Sequence, residues 1–174
     1  MGLTCAAYAR SLGAGKVIVT GTSDDALRLD VALEVGADHV VDVMVDDPVD
    51  AVMDLTDGFG ASLAVDLASA PGTPSLCFDL VHHRATVIWA GLKDRQAVPV
   101  VTDKVVMKGI RVLGGAGGDA GSVDEAARIL NEGGFPTAPL LGAVVGLDEV
   151  DRAMALLHRE GDEDAVRAVL RHEH

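Results

Sequence analysis

The sequence predicts an α/β domain, a doubly wound parallel sheet covered by helices on both faces, and three observations carry that prediction. Short β-branched apolar runs alternate with stretches of helical periodicity along most of the 174 residues. The runs are nearly all apolar rather than alternating with polar residues, as strands buried on both faces must be. Glycine, Ser/Asp and Pro stand at the boundaries, where helix ends and turns need them.

Taken in order, Gly2 to Leu12 reads as a helix closed by Gly13 in the left-handed position after the helix end. Lys16 to Thr20 is a β-branched strand, and Gly21-Thr22-Ser23-Asp24 is its exit turn. Ser23 or Asp24 is the expected N-cap of a helix through Leu27, Leu29, Val31, Ala32 and Val35, ended by Gly36. His39 to Val43 is the next strand. Pro48 suits the first turn of a helix to Leu55, and Ser62 to Leu67 is a further strand. The pattern repeats with a helix from about Thr73 to Val81, a strand from Ala85 to Ala90, an irregular stretch carrying Pro99, a strand from Ile110 to Leu113 and a helix from Val123 to Leu130. After Gly133-Gly134-Phe135-Pro136 the rhythm changes. An apolar stretch from Leu140 to Leu147, an amphipathic helix from Asp148 to Arg159 and a short strand from Ala165 to Leu170 form a tail expected to pack on something beyond the sheet. The expected division is residues 1–135 and 136–174.

Composition narrows the function. The chain is 49% hydrophobic, enough for one domain with a real core. With 27 Asp+Glu against 14 Lys+Arg, the net charge of −13 repels nucleic acids and anionic membrane surfaces. Only 3% of residues are aromatic, so base-stacking platforms cannot be assembled, and the single Trp89 is expected in the core. The two cysteines, Cys5 and Cys77, support neither a disulfide framework nor a four-ligand zinc site. No apolar run reaches the roughly 18 residues of a membrane span, and no secretory leader opens the chain. A soluble protein of the reducing cytoplasm is expected.

Several pieces together resemble the cofactor-binding half of the medium-chain, zinc-type alcohol, polyol and threonine dehydrogenases. They are Gly2-Leu3 with a small-residue helix ending Leu12-Gly13-Ala14, Arg28-Leu29, and Val35-Gly36-Ala37-Asp38-His39-Val40-Val41-Asp42. Further on come Gly58-Phe59-Gly60-Ala61, Val65-Asp66, Ala90-Gly91-Leu92, Lys108-Gly109-Ile110-Arg111-Val112-Leu113-Gly114 and Leu147-Asp148-Glu149-Val150. Each is short; their order and spacing carry the resemblance over the whole chain. It implies a Rossmann-like fold, a dinucleotide cofactor and a small alcohol or polyol substrate. It also implies that a strand and the first two glycines of a G-x-G-x-x-G turn stand before Gly2 in family members, so Met1 is expected to lie inside a longer reading frame. Only the helix-packing glycine of that motif is left in Gly2. The missing strand is central in the family's sheet, so its two neighbours are expected either to be left with open edges or to close directly on each other, and the chain as written to be poorly stable and aggregation-prone. The zinc ligands belong to the family's N-terminal catalytic domain, to which residues 136–174 return. No catalytic or metal-binding residue is therefore expected in these 174.

The resemblance assigns cofactor contacts to Gly2 and Leu3, to Gly21, Thr22, Ser23 and Arg28, and to Ala68, Ser69, Ala90, Gly91 and Leu92 at strand C-terminal ends, where such sheets bind ligands. Gly21 stands where NAD-preferring members place an acidic residue, and Arg28 close behind could meet a 2′-phosphate. The reading leans to NADP over NAD, with Asp24 or Asp25 on the ribose and Arg28 as a solvated helix residue as the alternative. Gly115-x-Gly117-x-x-Ala120 fits the dinucleotide fingerprint but lacks a following strand with an acidic end, so Gly114, Gly115 and Ala116 are read as a loop near the nicotinamide.

His82-His83 reads as a solvated helix end rather than a metal site, His158, His172 and His174 as surface residues, and Cys5 as packed rather than reactive. No G-x-S-x-G, Walker A or H-E-x-x-H sequence occurs. The rival function is a non-catalytic remnant that pairs through the Ile110–Leu113 strand as a homo-oligomer.

Overall fold

The computed structural model describes residues 1–158, 160 and 164–172. It resolves into two compact units. One comprises Leu3–Asp42 and the chain from Ile129 onward, and the other Val43–Arg128.

In the first unit, α1 (Gly2–Ser11) leads to β1 (Ile18–Gly21), α2 (Ala26–Glu34) and β2 (His39–Asp42). Strands β1 and β2 run parallel, with Ile18 opposite His39 and Gly21 opposite Asp42. Gly13 at φ 85° and Gly36 at φ 109° end the two helices, as their positions in the sequence predict. Leu3, Ala6 and Ala7 of α1 pack with Val17, Val31, Ala32, Val35 and Ala37 in one core cluster. Arg10 fastens the far end of that cluster: Nε donates to the Gly36 carbonyl at 2.9 Å, one terminal nitrogen to the Ala14 carbonyl at 2.8 Å, and the other to the Asp38 carboxylate. Asp38 also accepts the Val17 N–H at 2.7 Å, and these bonds hold its carboxyl below the usual carboxylate range.

The tail belongs to this unit. Helix α7 (Thr137–Leu141) sends Leu140 into the α1–α2 cluster, with Phe135 and Val166 packed against it. Strands β6 (Ala143–Gly146) and β7 (Ala168–Arg171) form a separate parallel pair, with α8 (Val150–His158) in between in the chain. The apolar stretch from Leu140 to Leu147 is thus split into helix and strand at Gly142. The last turn expected for α8 falls on Arg159, which with His174 lies outside the described residues.

In the second unit, α3 (Pro48–Leu55), β3 (Ala61–Asp66), α4 (Thr73–Leu80), β4 (Val81–Trp89), α5 (Thr102–Lys108) and β5 (Arg111–Gly114) build a parallel sheet of order β3-β4-β5, and α6 (Ala120–Glu132) follows. Pro48 is the first-turn proline, and Asp47 caps α3 by accepting the Val49 and Asp50 N–H groups at 2.8 and 3.2 Å. Phe78, Val81 and Val87 are fully buried among Cys77, Ala85 and Ile110. Each contributes about 1.5–3 kcal/mol of apolar transfer. Trp89 packs on this cluster with its ring 5.6 Å from that of Phe78.

Among the described residues, β1 bonds to β2 alone and β3 to β4 alone, so each has one edge without a strand partner. Open edges on these two strands are one of the two outcomes that the resemblance implies.

Four expectations are corrected. Neither Ser23 nor Asp24 caps α2; they form a 3-10 turn with Asp25, and α2 starts at Ala26 without a side-chain cap. His82 and His83 are not a helix end, because β4 begins at Val81. Its pairing with β3 jumps from Ala61 opposite Val81 to Leu63 opposite Thr86, and Arg84 takes φ 62° to absorb the extra residues. Residues 102–108, read as irregular, are a helix closed by Gly109. The helix read from Val123 to Leu130 is longer, since α6 runs from Ala120 to Glu132.

Candidate functional site

The predicted contacts of the first unit gather at two helix starts and one strand end. Gly2 is exposed at the start of α1, and an added Cβ there would meet nothing within 4 Å. Leu3 turns its side chain into the core. Gly21 is the last residue of β1, and Thr22 precedes the 3-10 turn. Ser23 donates its hydroxyl to the Asp42 carboxylate at the end of β2. Arg28 is not a solvated helix residue. Its side chain is 25% exposed and donates to the Ala165 carbonyl at 2.9 Å, with Asp25 at 3.4 Å and Asp164 at 3.6 Å.

In the second unit, the remaining contacts sit where β3, β4 and β5 end. Ala68, Ser69, Leu92, Gly114 and Ala116 are exposed, while Ala90, Gly91 and Gly115 are half-buried. Gly115 donates its N–H to the Trp89 carbonyl at 2.9 Å, which continues the β4–β5 alignment one residue beyond the sheet. The Gly/Ala loop then meets α6. There Asp119 accepts the Ser122 N–H and hydroxyl at 2.8 Å each, holding its carboxyl below the usual range. A carboxylate at that helix start occupies the place a phosphate would take in a true fingerprint.

Two residues that the sequence reading passed over organise these loops. Asp66 is the last residue of β3, and its side chain is 1% exposed. Its carbonyl accepts the N–H groups of Ala90 and Gly91 at 2.9 and 2.8 Å. Its carboxylate accepts the Ala68 N–H at 3.1 Å, the Thr73 hydroxyl at 2.9 Å and the Lys93 ammonium at 2.9 Å. Lys93, 11% exposed, also donates to the Ala68 carbonyl at 2.5 Å. The two strand-end loops are thereby fixed to one buried carboxylate. The signal in the sequence was a carboxylate ending an apolar strand; nothing local paired it with a lysine 27 positions on. Beneath them lies a cavity of about 260 Å³ lined by Asp66, Pro74, Trp89, Gly91, Lys93, Val98 and Val100, and the Trp89 indole N–H has no hydrogen-bond partner among the described residues.

Gly91 carries a different burden from the one expected. An added Cβ would run into the carbonyl of Ala68, so here the small residue lets the two protein loops approach each other. Burial raises the Cys77 thiol to about 11, with the negative charge of Asp66 adding to the shift, and burial also raises Cys5.

Exposed small residues at strand C-terminal ends, on loops held rigid from below, fit a bound dinucleotide. Zinc does not fit in the same way: among the described residues no group of three or more His, Cys, Asp or Glu stands together as ligands. Among the described residues no helix is long and apolar enough to cross a membrane.

Residues 1–132 match the family described as zinc-binding dehydrogenase. A probable alcohol dehydrogenase of Mycobacterium tuberculosis is 39% identical over 165 residues, covering 92% of this chain and 45% of the relative. A sorbitol dehydrogenase of Halalkalibacterium halodurans is 31% identical over 153 residues, covering 88% of this chain and 44% of the relative. The solved structure titled short chain alcohol dehydrogenase (rspB) from Escherichia coli CFT073, complexed with NADH, superposes with a TM-score of 0.83 at 19% identity, over 98% of this chain and 49% of that one. The chain spans about half the length of the curated relatives it matches.

Proposed function

Because the chain belongs to the zinc-binding dehydrogenase family, whose profile matches residues 1–132, we propose that it is the NAD(P)-binding part of an alcohol or polyol dehydrogenase. The observation that carries the proposal is the exposed Ala68, Ser69, Gly114 and Ala116 at the ends of β3 and β5, with half-buried Ala90 and Gly91 at the end of β4, the position where doubly wound sheets bind ligands. Family membership supports the cofactor class. The names of the two curated relatives support the substrate class.

In this reading Gly2 and the Leu3 backbone offer N–H groups at the start of α1 to the pyrophosphate. Gly21, Thr22 and Ser23 shape the adenosine ribose site. Ala68, Ser69, Ala90, Gly91, Leu92, Gly114, Gly115 and Ala116 take the nicotinamide half. The cofactor, when bound, supplies the hydride acceptor. The chain's own part is to hold the loops still: Asp66 and Lys93 fix the Ala68 and Ala90–Gly91 backbones, and Asp119 fixes the loop before α6. Residues 136–174 are assigned the family role of returning toward the catalytic domain. The two thiols suit a reducing cytoplasm.

Titration of NADH into the purified chain, followed by nicotinamide fluorescence, tests this. Saturable binding that NAD+ or NADP+ displaces is expected. Failure of every dinucleotide to bind would leave the second reading, a non-catalytic domain that pairs with a copy of itself through β5. That reading rests on β5 being bonded on one side only, with Leu113 47% exposed.

A further inference from the structure

Arg28 is the only cation between Gly21 and Glu34, so a 2′-phosphate placed near the end of β1 would depend on it in that segment. The structure commits that guanidinium elsewhere. One terminal nitrogen donates to the Ala165 carbonyl at 2.9 Å, and the other faces Asp25 at 3.4 Å and Asp164 at 3.6 Å. One positive charge is thus flanked by two negative ones, and three quarters of the side chain is covered. A third carboxylate, that of Asp42, reaches the same turn through the Ser23 hydroxyl, and Asp24 lies in the turn itself. A phosphate dianion brought here meets net negative charge, whereas a ribose hydroxyl is a neutral donor that carboxylates accept.

Resting on the dinucleotide reading above, we infer that Arg28 is a specificity-determining residue that acts by being locked: its clamp to Asp25, Asp164 and the Ala165 carbonyl makes this chain selective for NAD over NADP. This reverses the lean of the sequence, which could not see that residues 137 positions apart meet. A Cβ at Gly21 would lie 2.8 Å from Leu29 Cδ2, so a side chain at this position needs only that terminal methyl to shift.

Calorimetric titration of NAD+ and NADP+ into the full chain and into the Asp25→Asn/Asp164→Asn variant tests the inference. The wild-type chain is expected to bind NAD+ about tenfold or more tightly than NADP+. The double variant, which leaves Arg28 only neutral partners, is expected to move that ratio toward NADP+ by about fivefold or more. Asp164→Asn alone can keep an oxygen for the Ala165 N–H, now 2.7 Å from Asp164 Oδ1, and is expected to move the ratio in the same direction if the double variant does not fold. A wild-type chain that binds NADP+ as tightly as NAD+, or a ratio unmoved in the variants, overturns the inference and leaves the dinucleotide reading standing. Binding of neither nucleotide overturns both.

Discussion

The carbonyl oxygen of Ala68 lies inside the volume that a Gly91 side chain would need, with the Ala68 carbonyl carbon and amide nitrogen each 2.9 Å from the ideal Cβ position. The exits of β3 and β4 are therefore in backbone contact, and the Gly91 N–H donates to the Asp66 carbonyl at 2.8 Å beside it.

Gly91→Ala is expected to destabilise the chain by on the order of 2–3 kcal/mol, since backbone rather than a flexible side chain must give way. Adding Ala68→Gly should restore nothing, because the obstacle is the Ala68 main chain. Urea unfolding of the single and double variants checks both statements; recovery in the double variant would contradict the geometry.

The Asp66–Lys93 pair is buried on both sides, so removing one partner should cost more than removing both. Lys93→Ala is expected to lose about 3–5 kcal/mol by leaving the carboxylate with only its neutral donors. Asp66→Asn/Lys93→Met should lie well above that variant in stability while loosening the Ala68 and Ala90–Gly91 loops. Unfolding midpoints, together with amide exchange at Ala68 and Gly91, separate the two effects.

Cys77 carries a pH signature. Its thiol is pushed up to about 11 from 9.0, so the folded state holds the proton more tightly than the unfolded state. The resulting stability is fully present below the unfolded value and is lost as pH rises from there through about 11. Urea midpoints measured at about pH 8 and about pH 10.5 should fall more steeply for the wild-type chain than for Cys77→Ala. An equal fall in both would show that Cys77 is not the group responsible.

Much of the fold was legible because its signals are local. Gly13 and Gly36 mark helix ends, Pro48 opens a helix after the Asp47 cap, and apolar β-branched runs give β1, β2 and β3. The C-terminal ends of those strands followed from the same pattern, while the candidate contacts on them came from the family resemblance. Helix α5 escaped because Val105 and Val106 give it a strand-like composition. Its place is fixed instead by Val105 in the core and by Lys108, which donates to the Phe78 and Val81 carbonyls at 2.7 and 2.8 Å.

What the sequence by itself determined is the order of strands and helices and the small residues at strand ends, all set by neighbours a few positions apart. What only the tertiary structure decided is how those ends are held and charged. Asp66 meets Lys93 across 27 positions, Arg28 meets Ala165 across 137, and Gly91 makes room for Ala68. Each is a long-range contact whose energy depends on burial and on which charges share it, and neither property is encoded in the spacing of residues along the chain.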